Sequence, residues 1–302
     1  MKIFMTGGNG FVGTHLTRAL TAEGHQVTLL VRKGANVPAL PQEVTLLEGR
    51  STEAGAWQES VPAHDVLVNL AGATIFRRWS PAYKQLLRDS RILTTRRLVD
   101  AITADAAPKI TLLSTSAVGY YGFRQDEELD EHSPPGTDFL AKLAIDWEAE
   151  ALRAREKGTR VCIMRFGVVL GRGGALPEMA RPFRFFVGGP IGTGTQWFSW
   201  IHIDDLTRAA RFVMEHPSIE GPANFTAPQP VTNRDLSTAL GKVLGRPSFM
   251  PAPGFMIKLI MGEFGEVILN GQRVIPRLLT DAGFRFGYPD IEAALRNLLV
   301  HV

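Results

Sequence analysis

Apolar residues in this chain gather into short runs separated by stretches with helical periodicity. The runs Lys2–Met5, Val27–Val31, Val44–Leu47, Val66–Leu70, Ile110–Ser114 and Val161–Phe166 are each bounded by turn residues, the pattern of strands buried on both faces. Between most of them apolar positions recur at helical spacing, over Phe11–Glu23, Pro81–Ala104 and Phe139–Lys157. Parallel strands joined by right-handed helical crossovers give a doubly wound sheet, so the pattern predicts an α/β protein. Beyond Gly171 the regularity fails. Residues 171–196 are rich in Gly and Pro, Trp200–Glu215 reads as a strand end feeding a helix, Asn224–Ala227 as a last strand, and from Val231 onward helical patterns are broken by prolines. The division this predicts is a sheet domain of residues 1–170 plus 197–227. A smaller, mainly helical lobe of residues 171–196 plus 228–302 would close over the carboxyl ends of the strands, where open α/β sheets bind ligands.

The first strand breaks into Thr6-Gly7-Gly8-Asn9-Gly10-Phe11-Val12-Gly13 and then becomes a helix. Strand, glycine turn and helix in that order form a phosphate cradle. Gly7 turns the chain off the strand, Gly10 lets backbone N–H groups approach a pyrophosphate, and Gly13 lets the helix pack on the sheet. Gly8, Phe11 and Val12 complete the turn, and the helix N-terminus offers free N–H groups and a partial positive charge. The end of the second strand selects the dinucleotide: a carboxylate there suits NAD, a cation suits the extra phosphate of NADP. Here Val31 is followed by Arg32 and Lys33, with no carboxylate before Glu43, which favours NADP. After the third strand, Arg50 and Ser51 stand where an adenine contact is expected.

Composition narrows the partners. The 302 residues are 45% hydrophobic and 21% charged, with a net charge of +3 from 33 basic and 30 acidic residues mixed along the chain. No basic run with interleaved aromatics points to nucleic acid, and no metal site is expected. No apolar stretch approaches the ~18 residues of a membrane span, so no membrane partner is expected. The single cysteine, Cys162, lies in an apolar run and suits a buried inert thiol in a reducing, cytoplasmic setting.

Several strings resemble a known family. The glycine spacing, Asn69-Leu70-Ala71-Gly72 ending the fourth strand and Ser114-Thr115-Ser116 ending the fifth resemble the extended short-chain dehydrogenase/reductases, the nucleotide-sugar epimerase/dehydratase group. Arg78-Trp79, Asp89-Ser90-Arg91, Thr94-Thr95, residues 165–171, residues 198–205 and residues 270–276 are similar to an atypical subgroup of epimerase-family proteins with a C-terminal segment of unknown function. The resemblance implies a Rossmann fold and NADP binding in which Leu70, Ala71, Gly72 and Ser114 line the cofactor. It places Arg91, where an asparagine is usual, against the nicotinamide end or a substrate anion. It also suggests a homodimer through Pro81–Ala104 and Phe139–Lys157.

The chain departs from that superfamily at its proton relay. Working members use a Ser, a Tyr and a Lys four residues after the Tyr, the ammonium tuning the phenol. Here the residues four positions after Tyr83, Tyr120, Tyr121 and Tyr288 are Leu87, Arg124, Gln125 and Glu292. In the helix where the pair belongs, Phe139 takes the Tyr position and Leu143 the Lys position. Ser116 matches the family serine. Tyr120 and Tyr121, just past it, are candidate acid/base groups, with loop packing as the alternative for both. His202 is a further candidate; its alternative is a structural histidine, with Asp204 or Asp205 capping the helix Leu206–Glu215. Arg77, Arg78, Lys84, Arg91 and Arg273 would suit an anionic small-molecule substrate.

Two functions follow. One is an NADP(H)-dependent oxidoreductase or epimerase acting on a small carbonyl or sugar-like substrate with a non-standard proton relay. The other is a non-catalytic NADP(H) sensor that regulates a partner, and a sugar-nucleotide binder without turnover is a weaker third.

Overall fold

The computed structural model describes residues 1–300; the last two residues of the expected lobe lie outside them. Seven strands, β1 (Lys2–Thr6), β2 (Gln26–Val31), β3 (Thr45–Glu48), β4 (Val66–Asn69), β5 (Thr111–Ala117), β6 (Arg160–Phe166) and β7 (Gly221–Phe225), form one sheet. Its order is β7-β6-β5-β4-β1-β2-β3 and every pairing is parallel. Alternation along β1 fixes the two layers. Ile3 and Met5 join Leu16 and Leu20 of α1 (Phe11–Ala22) and Leu206 and Val213 of α5 (Ile203–Glu215). Phe4 points the other way, to Leu98 of α2 (Pro81–Asp100) and Ala151 of α3 (Phe139–Glu156). The predicted doubly wound sheet is therefore the structure.

The differences have local causes. The run Val44–Leu47, read as buried, is the edge strand β3, whose residues are mostly exposed because nothing pairs beyond it. Helix α2 stops at Asp100 instead of Ala104. The strand expected over Asn224–Ala227 is Gly221–Phe225. β5 runs on to Ala117, so Ser114 and Ser116 lie within a strand. The Gly- and Pro-rich stretch contains a helix the periodicity missed, α4 (Leu176–Arg184), with Pro177 in its first turn. Helices α6 (Asn233–Leu244), α7 (Gly254–Met261), α8 (Phe264–Leu269), α9 (Arg277–Asp281) and α10 (Ile291–Leu299) complete the chain. A separate apolar cluster joins α4, α6 and α10 around Leu176, Leu240 and Leu295.

A row of polar residues crosses the sheet beneath the ligand end. Thr6 pairs with Asn69, and Asn69 with Ser114. The Thr6 hydroxyl donates to Asn69 Oδ1 (2.7 Å), and Asn69 Nδ2 donates to Thr95 Oγ1 (2.8 Å) and Ser114 Oγ (3.3 Å). Thr95 also accepts from the indole of Trp147 (2.9 Å), so one buried amide ties β1, β4 and β5 to α2 and α3. Replacing Asn69 by Ala should leave these buried groups unpaired and cost about 1–3 kcal/mol in urea unfolding, whereas an exposed change on the β3 edge, such as Thr45→Ala, should be near neutral.

Candidate functional site

The glycine turn is shaped by close backbone approach. Gly7 has φ +70°, and a Cβ there would lie 2.7 Å from the Leu70 carbonyl carbon. A Cβ on Gly13 would lie 2.3 Å from the Gly7 oxygen, so neither position admits a side chain. Gly10 is the N-cap of α1; it has no side-chain cap, and the first turn carries no acidic residue. The first-turn N–H groups and the helix dipole are thus left without a side-chain cap or a neighbouring carboxylate in that turn. Gly8 packs on Leu29. The Phe11 ring packs against Gly171, Gly173 and Gly174, and Phe11 and Val12 both pack against the apolar cluster of α4, α6 and α10.

Arg32 and Lys33 emerge exposed after β2, and neither side chain has a hydrogen bond or ion pair among the described residues. Arg50 instead meets Glu53 at 3.0 Å in solvent, and the Ser51 hydroxyl meets that of Thr94 at 3.0 Å. Leu70 and Ala71 are half-buried beside Gly7, and Gly72 is exposed. Under this loop lies Arg91. Its guanidinium donates to the carbonyls of Ala73 (3.0 Å) and Leu87 (3.2 Å), sits 5.1 Å over the Trp147 ring and has no carboxylate partner among the described residues. Burial lowers its pKa to about 10. Thr115, on the face of β5 opposite Ser114 and Ser116, holds a buried hydroxyl with no hydrogen-bond partner. Sequence reasoning passed over it, and strand alternation is the only signal that could have singled it out.

The acid/base candidates are placed very differently from one another. Ser116, Arg165 and Asn224 share a second row across β5, β6 and β7. The Ser116 hydroxyl, 1% exposed, donates to Glu148 Oε1 at 2.6 Å. Glu148 accepts two bonds from Arg165, at 2.9 and 2.8 Å. Arg165 also donates to the Tyr121 hydroxyl (2.9 Å), which donates to Asn224 Oδ1 (2.7 Å). Burial pushes the Tyr121 phenol up to about 12 against the pull of Arg165. Burial alone would lower the Arg165 pKa, yet the bonds and charge of Glu148 hold it raised. Tyr120 is half-buried, with the Arg165 guanidinium 3.5 Å from its ring centroid and no hydrogen bond to its hydroxyl among the described residues.

His202 is fully buried. It caps α5 itself, accepting from Asp204 N at Nδ1 (3.1 Å) and meeting Asn297 Oδ1 from Nε2 (3.2 Å), stacked on Tyr288. Neither aspartate is the cap, and α5 begins at Ile203; Asp205 instead accepts from Gly287 N and Tyr288 N. Phe139 opens α3 behind its N-cap Asp138, and Leu143 is buried. The Phe139 ring meets Trp79 at 5.3 Å and the Lys84 ammonium at 4.7 Å, and Trp79 reaches Phe264 of α8 at 5.7 Å. Among the cations proposed for an anionic substrate, Lys84 is paired with Glu263 (2.5 Å) and Arg273 with Glu128 (3.1 Å), while Arg77 and Arg78 are exposed.

Burial lowers the His202 pKa below the usual 6.5 despite the raising influence of Asp204. The unfolded chain therefore binds the proton more readily. The stability that the neutral ring contributes is complete above pH 6.5 and is lost as pH falls through the folded value. His202→Asn, which keeps a capping oxygen, should flatten the acid limb of a stability-versus-pH curve measured by urea unfolding. Glu148→Gln should cost about 3–5 kcal/mol by leaving Arg165 buried and uncompensated.

Comparison with known proteins agrees with this architecture. Residues 3–225 match the NAD dependent epimerase/dehydratase family, and residues 252–298 match a domain of unknown function. The chain is 41% identical over 99% of its length to the chloroplastic epimerase family protein SDR39U1 homolog of Arabidopsis thaliana, covering 87% of that protein. It is 40% identical over 99% of its length to the Bacillus subtilis epimerase family protein YfhF, covering 98% of it. The human epimerase family protein SDR39U1, crystallised with NADPH, superposes with a TM-score of 0.88 at 36% identity, and each chain is covered in full. A Thermus thermophilus UDP-glucose 4-epimerase shares the fold, with a TM-score of 0.77 at 17% identity over 100% of this chain and 98% of that one. On the matched turn, sheet and C-terminal segment alike, this chain belongs to the NAD dependent epimerase/dehydratase family.

Proposed function

We propose that this protein binds NADP(H) and acts as an oxidoreductase or epimerase on a small carbonyl or sugar-like substrate, without the tyrosine–lysine relay. The observation that carries the cofactor assignment is the pair of unpaired cations, Arg32 and Lys33, where the 2′-phosphate of a dinucleotide in the glycine turn would lie. The NADPH complex of the human relative supports it.

The residues present fit such a group. A Cβ at Gly7 or Gly13 would strike the backbone of Leu70 or of Gly7, so only glycine lets the turn close this tightly; the uncapped α1 N-terminus would offer its N–H groups to the diphosphate, and Thr115 on β5 holds a buried hydroxyl without a partner among the described residues. When bound, the nicotinamide supplies or accepts hydride. The chain's own residues must position the substrate and move its proton. Arg91 holds the Gly72–Ala73 loop and places an uncompensated charge beside it. Tyr120 is the one relay candidate whose hydroxyl is not held by an internal partner, so we assign it the proton. Ser116, Tyr121 and His202 are positioning residues: the first two hold the strand end beneath Tyr120, and the third anchors α5. Residues 171–196 and 228–302 close the cleft. A reducing cytosolic setting suits the lone buried thiol of Cys162.

A second reading, a non-catalytic NADP(H) sensor, is favoured by one observation: the family serine is locked to Glu148.

Calorimetry should show NADPH bound more tightly than NADH, and Arg32→Glu should weaken NADPH by roughly ten- to a hundredfold while leaving NADH almost unchanged. Equal loss for both cofactors would refute the 2′-phosphate assignment. Nicotinamide absorbance followed with a panel of aldehydes, ketones and nucleotide sugars should show turnover that Tyr120→Phe lowers by about a hundredfold at unchanged NADPH affinity. Tight NADPH binding with no turnover on any compound would favour the sensor.

A further inference from the structure

The lobe carries an apolar face that the fold leaves in water. Segments 185–192 and 249–252 lie side by side: Met250 N donates to Gly188 O (3.2 Å), and Gly192 N and Pro190 O bond Ala252 at 2.9 Å each. Helix α7 follows at Gly254 and has no buried residue. Phe185, Phe186, Phe249 and Phe255 are 68%, 55%, 69% and 72% exposed, and Leu259 and Ile260 are 72% and 62% exposed. At ~150–250 Å² per aromatic side chain, the four phenylalanines alone leave on the order of 400–600 Å² in water. That already equals the largest apolar patch of an ordinary monomer, ~300–600 Å². Phe186 also holds φ +62°, a left-handed conformation that a bulky residue adopts at a cost.

The charge left unpaired around this face has one sign. Residues 179–203 and 236–262 contain no Asp or Glu, yet they carry Arg181, Arg184, Lys242, Arg246 and Lys258. Acidic groups at the margins are paired, Glu178 with Arg181, Glu263 with Lys84, Glu266 with Lys258 and Glu292 with Lys242, so Arg184 and Arg246 carry the charge that remains. Arg184 has no ion pair among the described residues. Arg246 has none either, and lies over the Phe186 ring at 4.5 Å. A twofold contact with a second copy would press these cations against themselves. An apolar helix flanked by uncompensated arginines is instead the chemistry of a surface that rests on anionic lipid.

We propose that the face formed by Phe185–Val187, Phe249–Met250 and α7 docks peripherally on an anionic lipid bilayer, with α7 lying in the headgroup plane. No helix of the described residues is long and apolar enough to cross a membrane, and a peripheral contact needs none. The sequence expectation of no membrane partner rested on spans alone; the face exists only because folding brings residues 185–187 beside residues 249–260.

The test is flotation of the full-length protein with vesicles of phosphatidylcholine alone, or of phosphatidylcholine mixed with an equal amount of phosphatidylglycerol. The protein should float with the anionic vesicles only, and less at high salt. Arg184→Gln with Arg246→Gln should weaken partitioning by about tenfold or more. Phe255→Glu with Leu259→Glu should abolish it at an unchanged thermal midpoint, since both side chains face water. Failure to float with anionic vesicles overturns the proposal, as does flotation that neither variant reduces. A dimer in light scattering that Phe255→Glu with Leu259→Glu dissociates would overturn it in favour of a second copy.

Discussion

A guanidinium on the sheet and a carboxylate on α3 sealed against it, Arg165 against Glu148, decide what the rest of this site can do. Two buried charges cost several kcal/mol each in lost hydration unless geometry and further hydrogen bonds satisfy them. Glu148 therefore takes the Ser116 hydroxyl as well as both arms of the arginine, and the remaining arginine donor takes the Tyr121 phenol. Two of the residues that a reader of this family would place at the chemistry are spent on solvating that pair. The Tyr121 phenol, raised to about 12, stays protonated and donates inward to Asn224. Tyr120 is left on the far side of the same guanidinium with its hydroxyl unclaimed.

The two polar rows across the sheet divide the labour. Thr6, Asn69 and Ser114 carry no charge and fix the strands to α2 and α3 where the nucleotide cradle needs a rigid floor. Ser116, Arg165 and Asn224 meet Glu148 of α3 through Arg165 and Ser116 and fix β5, β6 and β7 beneath the 3₁₀ turn of Tyr120. Rows of this kind are in register because a parallel sheet repeats the same facing side chains from strand to strand. Slippage by one residue would turn every one of these polar groups to the wrong face.

What the sequence disclosed was local. The apolar runs, the helical spacing and the glycine turn each depend on residues close together, so all seven sheet strands, the last with shifted bounds, the cofactor cradle and the absence of Tyr-x-x-x-Lys were readable. Contacts between distant residues were not. Nothing near Ser116 announces Glu148 thirty-two positions on, and nothing around His202 shows that it caps α5 while its other nitrogen meets Asn297. The resemblance singled out Arg91, yet nothing in the sequence shows that Ala73, Gly72 and Trp147 enclose it without a carboxylate partner among the described residues. The edge position of β3 was equally hidden, because apolar content alone does not say how many neighbours a strand will have.

Phe139 shows what replaced the relay. A tyrosine at the start of α3 would aim a hydroxyl into the cleft, with an ammonium one turn behind it. Here the ring at that position packs on Trp79, which packs on Phe264 of the lobe, while Lys84 lies over the same ring and reaches Glu263. The position where the family resemblance places the tyrosine is thus taken by an aromatic contact between α3, the loop after β4 and α8. Opening this aromatic contact would separate α8 from the loop after β4. The apolar face of α7 begins one turn of chain away, and Gly262 at its end rests on Arg78. Phe139 thus sits on an aromatic contact that ties α3 to α8 through Trp79, a packing role that a phenol followed by a lysine one turn on would not fill in the same way.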